Sequence, residues 1–135
     1  MSRRLGKQRL PPILGVVLVL GVALVGVSNA FLLYDRISNW GKLVHAFEAL
    51  LVAVVCGYCL LGYRDYRRVD IPAQIVALVC VFAGVTFGAF WEFLEFALDW
   101  IRASDIQKSN ADTMTDMLWG DLAAVLGTFL VAGVY

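Results

Sequence analysis

The 135 residues of this chain are 61% hydrophobic and 16% charged, whereas soluble domains run nearer about one half and about one quarter. Water is therefore not the solvent this composition suits, and an integral membrane protein is expected. Basic and acidic residues balance to a net charge of zero, and no basic groove or aromatic-interleaved basic stripe occurs, so nucleic acid is set aside as a partner.

The apolar residues fall into four blocks, and a hydrocarbon core of ~30 Å takes about 20 such residues as a helix. The expectation is an all-α integral membrane fold, a four-transmembrane-helix antiparallel bundle forming one membrane domain over 1–135. The first helix is placed at about 13–33, behind Arg3, Arg4, Lys7 and Arg9 and the Pro11-Pro12 pair, which suits a helix entry. Ser28-Asn29-Ala30 satisfies a small-x-small cleavage rule, but Phe31-Leu32-Leu33 continues the apolar run, so a retained anchor is expected rather than a signal peptide.

The second helix is placed at about 43–63 and ends in the charged segment from Arg64 to Asp70, before Pro72. It carries Cys56-Gly-Tyr-Cys59, which has redox spacing but sits mid-helix rather than at a helix start, so these thiols and Cys80 are expected to pack as small residues. The third helix is placed at about 73–100. It contains Gly84-Val-Thr-Phe-Gly88, a small-xxx-small step that permits a close helix crossing and a homo-oligomer through Gly84 and Gly88. The fourth is placed at about 112–135, after a polar stretch from Ser104 to Asn110 rich in turn formers. Every connection is short, so successive helices run antiparallel.

Lysine and arginine in short loops set orientation. The N-terminal arm and the segment after the second helix hold seven of the eleven basic residues, which puts both termini in the cytoplasm and the protein in the cytoplasmic (inner) membrane. The acids run the other way: Asp65 and Asp70 lie inside, while Asp35, Glu48, Glu92, Glu95, Asp99, Asp105, Asp112, Asp116 and Asp121 lie in the outer half. Arg102 and Lys108 can neutralise only part of that set.

Each carboxylate inside a bilayer costs ~2.5–3.5 kcal/mol on insertion scales and is usually paired, protonated or functional. At a rise of ~1.5 Å per residue, Glu48, Glu95 and Asp116 reach one depth on three separate helices, with Glu92 a turn deeper. Glu92, Glu95 and Asp99 form one helical stripe, Asp112 and Asp116 another, and His45 and Glu48 a third. Turned inward, they offer carboxylate oxygens and one imidazole to a divalent metal: His45, Glu48, Glu92, Glu95, Asp112 and Asp116 are the candidate ligands, for Mg, Mn, Fe or Zn. Glu92 and Glu95 are the candidate catalytic groups, one of them as general base. Plainer roles stand beside these: Asp112 as a helix N-cap, Asp35-Arg36 as an interfacial ion pair, and Asp121 as an interhelical partner of Asn29 or Thr86.

The motifs Tyr34-Asp35-Arg36 with His45, then Trp91-Glu92-x-x-Glu95, then Asp112-Thr113-x-x-Asp116, resemble the YjdF-like family of bacterial membrane proteins over about residues 34–127. The gap from Arg36 to His45 is longer than in that pattern. More distantly, the Glu-rich helix, the polar loop with Arg102 and Ser104, and Gly127 are similar to the VanZ-like superfamily, which implies a cell-envelope role. Glu95 stands there where Gln is usual. Three functions are expected to compete: a metal-dependent hydrolase or group transferase acting on a lipid-linked or amphiphilic substrate among membrane lipids, a proton- or cation-coupled transporter, and a non-catalytic membrane scaffold.

Overall fold

The computed structural model describes residues 12–103 and 106–133. Those residues form helices α1 (Pro12–Ala30), α2 (Leu33–Arg36), α3 (Trp40–Arg67), α4 (Ala73–Arg102) and α5 (Asn110–Ala132). Three of them, α3, α4 and α5, are long and apolar enough to cross a membrane; the described apolar stretch of α1, Val19–Ser28, is shorter. Arg3, Arg4, Lys7, Arg9, Pro11, Ser104, Asp105, Tyr135 and the Asn29 side chain lie outside the described residues.

The three long helices pack together because each carries one inward stripe at four-residue spacing. On α3 it is His45, Ala49, Ala53, Gly57 and Leu61; on α4 it is Val76, Cys80, Gly84, Gly88 and Glu92; on α5 it is Asp116, Gly120, Ala124 and Thr128. All of these are buried. Residues four apart lie above one another on a helix, so each stripe is a ridge of small side chains that lets the backbones approach. Small residues do this work inside a membrane because apolar burial alone does not favour helix over lipid.

The approach is closest where the three stripes cross. A methyl group at Gly84 would lie 2.5 Å from the Ala124 Cβ and 3.0 Å from the Ala49 carbonyl oxygen, so only glycine fits between α3 and α5. A methyl at Gly57 would lie 2.5 Å from a Val131 methyl and 3.0 Å from the Cys80 sulfur. The cysteines are free, and Cys80 is fully buried in this core. Gly84 thus makes its close crossing within the chain.

α1 is attached differently. Its backbone comes close to α3 and α2 and, among the described residues, to neither α4 nor α5. It ends at Ala30 and not at the expected Leu33, because Leu32 adopts a left-handed conformation (φ 53°) that turns the chain into α2. The turn is pinned by the Ser28 hydroxyl, which donates to the Leu24 carbonyl at 2.6 Å and accepts from the Trp40 indole at 2.8 Å. Thus the end of α1 is fastened to the start of α3, and α2 is held over the end of the bundle where the acids lie.

Candidate functional site

The polar ends of the three stripes meet. His45 ends the stripe of α3, Glu92 that of α4 and Asp116 that of α5, and each is at most 8% exposed. Since α3 and α5 run parallel and α4 antiparallel to both, the beginning of two helices and the end of the third reach one level. The His45 Nε2 lies 3.4 Å from Glu92 Oε1, 3.9 Å from Glu95 Oε1 and 3.9 Å from Asp116 Oδ2. One ligand atom each from His45, Glu92 and Asp116 fall within 4.8 Å of one another.

Around this centre the other polar groups are arranged to hold it. The Gln107 amide donates to Glu92 Oε2 at 3.3 Å, and the Trp91 indole donates to Glu95 Oε1 at 2.9 Å. Gln107 is itself fixed, because the Asp99 carboxylate accepts the backbone N–H groups of Ile106 and Gln107 at 2.8 Å each. Lys42 donates to Asp112 Oδ1 at 2.9 Å and stands 3.5 Å from Asp116 Oδ1 without forming a hydrogen bond to it. The helix cap of α5 is not Asp112: Ser109 is the N-cap, its side chain accepting the Asp112 N–H at 3.1 Å, and this leaves the Asp112 carboxylate for Lys42.

Two carboxylate oxygens, Glu92 Oε1 and Asp116 Oδ1, are buried with no hydrogen-bond partner. Buried acceptors of this kind are rare in native structures and costly, and charged ones cost more. A divalent cation would satisfy them. The donor set of one imidazole and two carboxylates suits Mg, Mn, Fe or Zn, and metal–ligand bonds of about 2.1 Å require ligand atoms about 3–4 Å apart, close to the spacing present. His45, Glu92 and Asp116 could therefore hold a metal ion.

These residues open onto a cavity of about 890 Å³ whose wall includes His45, Glu92, Glu95, Asp112 and Asp116, with Trp91 and Trp40. Tyr34, from α2, is part of the same wall. Burial, then the nearby Glu48 and Glu95 carboxylates, push the Tyr34 phenol above its ordinary range against a smaller opposing effect of its hydrogen bond with Ser28, so it stays a neutral hydroxyl.

Of the six candidate ligands, the structure thus brings His45, Glu92 and Asp116 together, sets Glu95 beside them, and gives Asp112 to Lys42. Glu48 is buried but lies outside the close group. Among the described residues neither Arg102 nor Lys108 forms an ion pair with the acids; Lys42 does. Asp35 and Arg36 are both exposed and do not pair with each other, and Thr86 is exposed, with no hydrogen bond to Asp121 among the described residues. Sequence reasoning missed Lys42, Gln107 and Trp91 as partners of the acids. It also missed the four-residue stripes, whose spacing was in plain view and whose polar ends mark the centre.

No curated protein and no solved structure matches this chain. Three long apolar helices, with carboxylates gathered at one level between them, are the features of a membrane protein. The family described as "Predicted membrane protein (DUF2238)" matches residues 2–135, and the chain belongs to that family of membrane proteins.

Proposed function

We propose that this protein is a metal-dependent enzyme of the bacterial cytoplasmic membrane that acts on a lipid-linked or amphiphilic substrate. The observation that carries the reading is the meeting of His45, Glu92 and Asp116 from three helices, with two buried carboxylate oxygens that accept no hydrogen bond, on the wall of a large cavity. His45, Glu92 and Asp116 are the metal ligands, and a cation held there would polarise a bound ester or phosphoryl group and lower the pKa of a bound water. Glu95, 3.9 Å from His45 and oriented by the Trp91 indole, is the general base. Glu92 is shared between ligation and the reaction. Asp112 serves through Lys42, and Glu48 is buried outside the ligand group, near enough to act on Tyr34.

In this reading α1 is a fourth span: its 19 residues reach about 28 Å at ~1.5 Å per residue. The basic residues at Arg64, Arg67 and Arg68 favour placing that end of α3 in the cytoplasm and the metal site in the outer half. The resemblance to the YjdF-like family supports the site, because the residues that carry it, Tyr34, His45, Glu92, Glu95, Asp112 and Asp116, surround the cavity or its floor.

Metal analysis of the purified protein tests the proposal. After growth with Mg, Mn, Fe and Zn in turn, the wild type should retain about one ion per chain of one of them. His45→Ala and Glu92→Gln should lose it while Glu48→Gln keeps it. A wild type with no stoichiometric metal under any supply overturns the proposal.

A further inference from the structure

The cavity has walls that do not close. Part of the wall is formed by α1 and the turn after it, through Val25, Ser28 and Leu32, and part by α4, through Trp91, Glu95 and Leu98. Yet among the described residues no Cα atom of α1 comes within 8 Å of one in α4, whereas α1 does approach α3 and α2 that closely. The cavity is therefore bordered by a seam between two helices. In a bilayer such a seam gives onto acyl chains, since the lipid core has no water to fill it. Both helices that border it expose apolar side chains, Val22 and Val27 on α1 and Phe90 and Phe93 on α4.

The same cavity also takes a basic residue from α2 and another from the segment before α5. Arg36 and Lys108 both line it, and neither forms an ion pair among the described residues, whereas Lys42 is engaged by Asp112 and Asp116. Asp35 lines the cavity with them and is exposed. Guanidinium and ammonium groups that no carboxylate engages are suited to phosphate, which offers several acceptor oxygens and accepts a bidentate Arg contact.

We infer that the cavity takes an anionic lipid whose only headgroup charge is its phosphate, and that this lipid enters sideways between α1 and α4. Its phosphate lies against Arg36 and Lys108, and its chains leave through the seam. This deepens the proposed function by naming its substrate class; it rests on that reading for what is done to the lipid, and on the cavity alone for binding.

The full chain in detergent, mixed with phosphatidylglycerol and phosphatidylcholine of identical acyl chains, is examined by native mass spectrometry for retained lipid. Wild type should retain phosphatidylglycerol over phosphatidylcholine by roughly five-fold, the size of two partly screened charge contacts. Arg36→Ala/Lys108→Ala should bring the two lipids near parity. Val25→Trp, which fills the seam, should lower retention of both while helical content stays unchanged. Glu92→Gln should lose metal and keep the lipid preference. If wild type holds no metal but shows the preference, the metal reading falls and the lipid inference stands. Equal retention by wild type, or a preference that survives the double substitution, overturns the inference. So does free glycerol phosphate that displaces the lipid at equal concentration, since the cavity would then serve a soluble anion.

Discussion

The same three helices behave differently on the two sides of the Gly84 crossing. Toward Gly57, Cys80 and Val131 the stripes interlock: an added methyl at Gly57 would meet three atoms at 3.0 Å or less. Toward His45, Glu92 and Asp116 the packing loosens, and a methyl at the buried Gly88 would find nothing within 4 Å. The loosening begins one turn before the acids. Dense packing fixes the angles of the helices, and the slack beyond the crossing leaves room for charged groups to face one another. One half supplies rigidity that the other spends on a cavity, as functional sites held by a well-packed scaffold do.

The sharpest way to break this comparison is to force the crossing apart. Gly84→Leu puts a branched side chain where a single methyl already lies 2.5 Å from Ala124. It should cost about 3 kcal/mol or more, read as loss of helicity at lower denaturant. Because the crossing sets where Glu92 points, bound metal should be lost with it. A variant that folds normally and keeps its metal would show that the two halves are independent.

Smaller effects should separate the halves. Asp116→Asn removes one ligand charge while keeping the shape, and should weaken metal binding by roughly ten-fold or more with little change in unfolding. Titration with the metal against a competing chelator reads the first, and denaturation the second. Equal losses in both would mean that Asp116 is holding the fold rather than a cation.

Lys42→Met has the opposite sign for the metal. Lys42 stands 3.5 Å from Asp116 and so repels a cation bound there. Its removal should tighten metal binding several-fold and, with the partly exposed pair to Asp112 gone, cost about 0.5 kcal/mol of stability. Weaker metal binding in the variant would mean that Lys42 positions the Asp116 carboxylate more than it competes with the ion.

The spans themselves were legible because length and apolarity suffice for them, and α3, α4 and α5 follow from that alone. The acidic level was legible too, since rise per residue sets Glu48, Glu95 and Asp116 at one depth on three separate helices, with Glu92 a turn away. What could not be read is pairing at a distance: Lys42 and Asp112 are 70 positions apart, and nothing local marks the lysine as a partner. The break at Leu32 was hidden for a related reason. Its cause is a hydrogen bond from Trp40 to Ser28 across the turn, whereas the local sequence continues as apolar helix. The choice of His45, Glu92 and Asp116 over Glu48 was partly available. Each of the three stands four residues beyond a small residue in a buried stripe, and Glu48, three past His45, does not.

Gly84 and Gly88 look alike in sequence and differ in the fold, so a matched pair of alanine substitutions gives the finest test of the comparison. Gly84→Ala adds a methyl 2.5 Å from Ala124 Cβ and 3.0 Å from the Ala49 carbonyl oxygen, backbone that cannot swing away. It should destabilise by about 1–3 kcal/mol. Gly88→Ala adds the same methyl to open space, where the gain in helix preference should stabilise by about 0.5–1 kcal/mol. Metal content should stay unchanged in Gly88→Ala, because the methyl reaches none of the three ligands. Two variants one turn apart should therefore move the unfolding midpoint in opposite directions. If both destabilise, the slack above the crossing is absent, and the acids meet in a core packed as tightly as the one below.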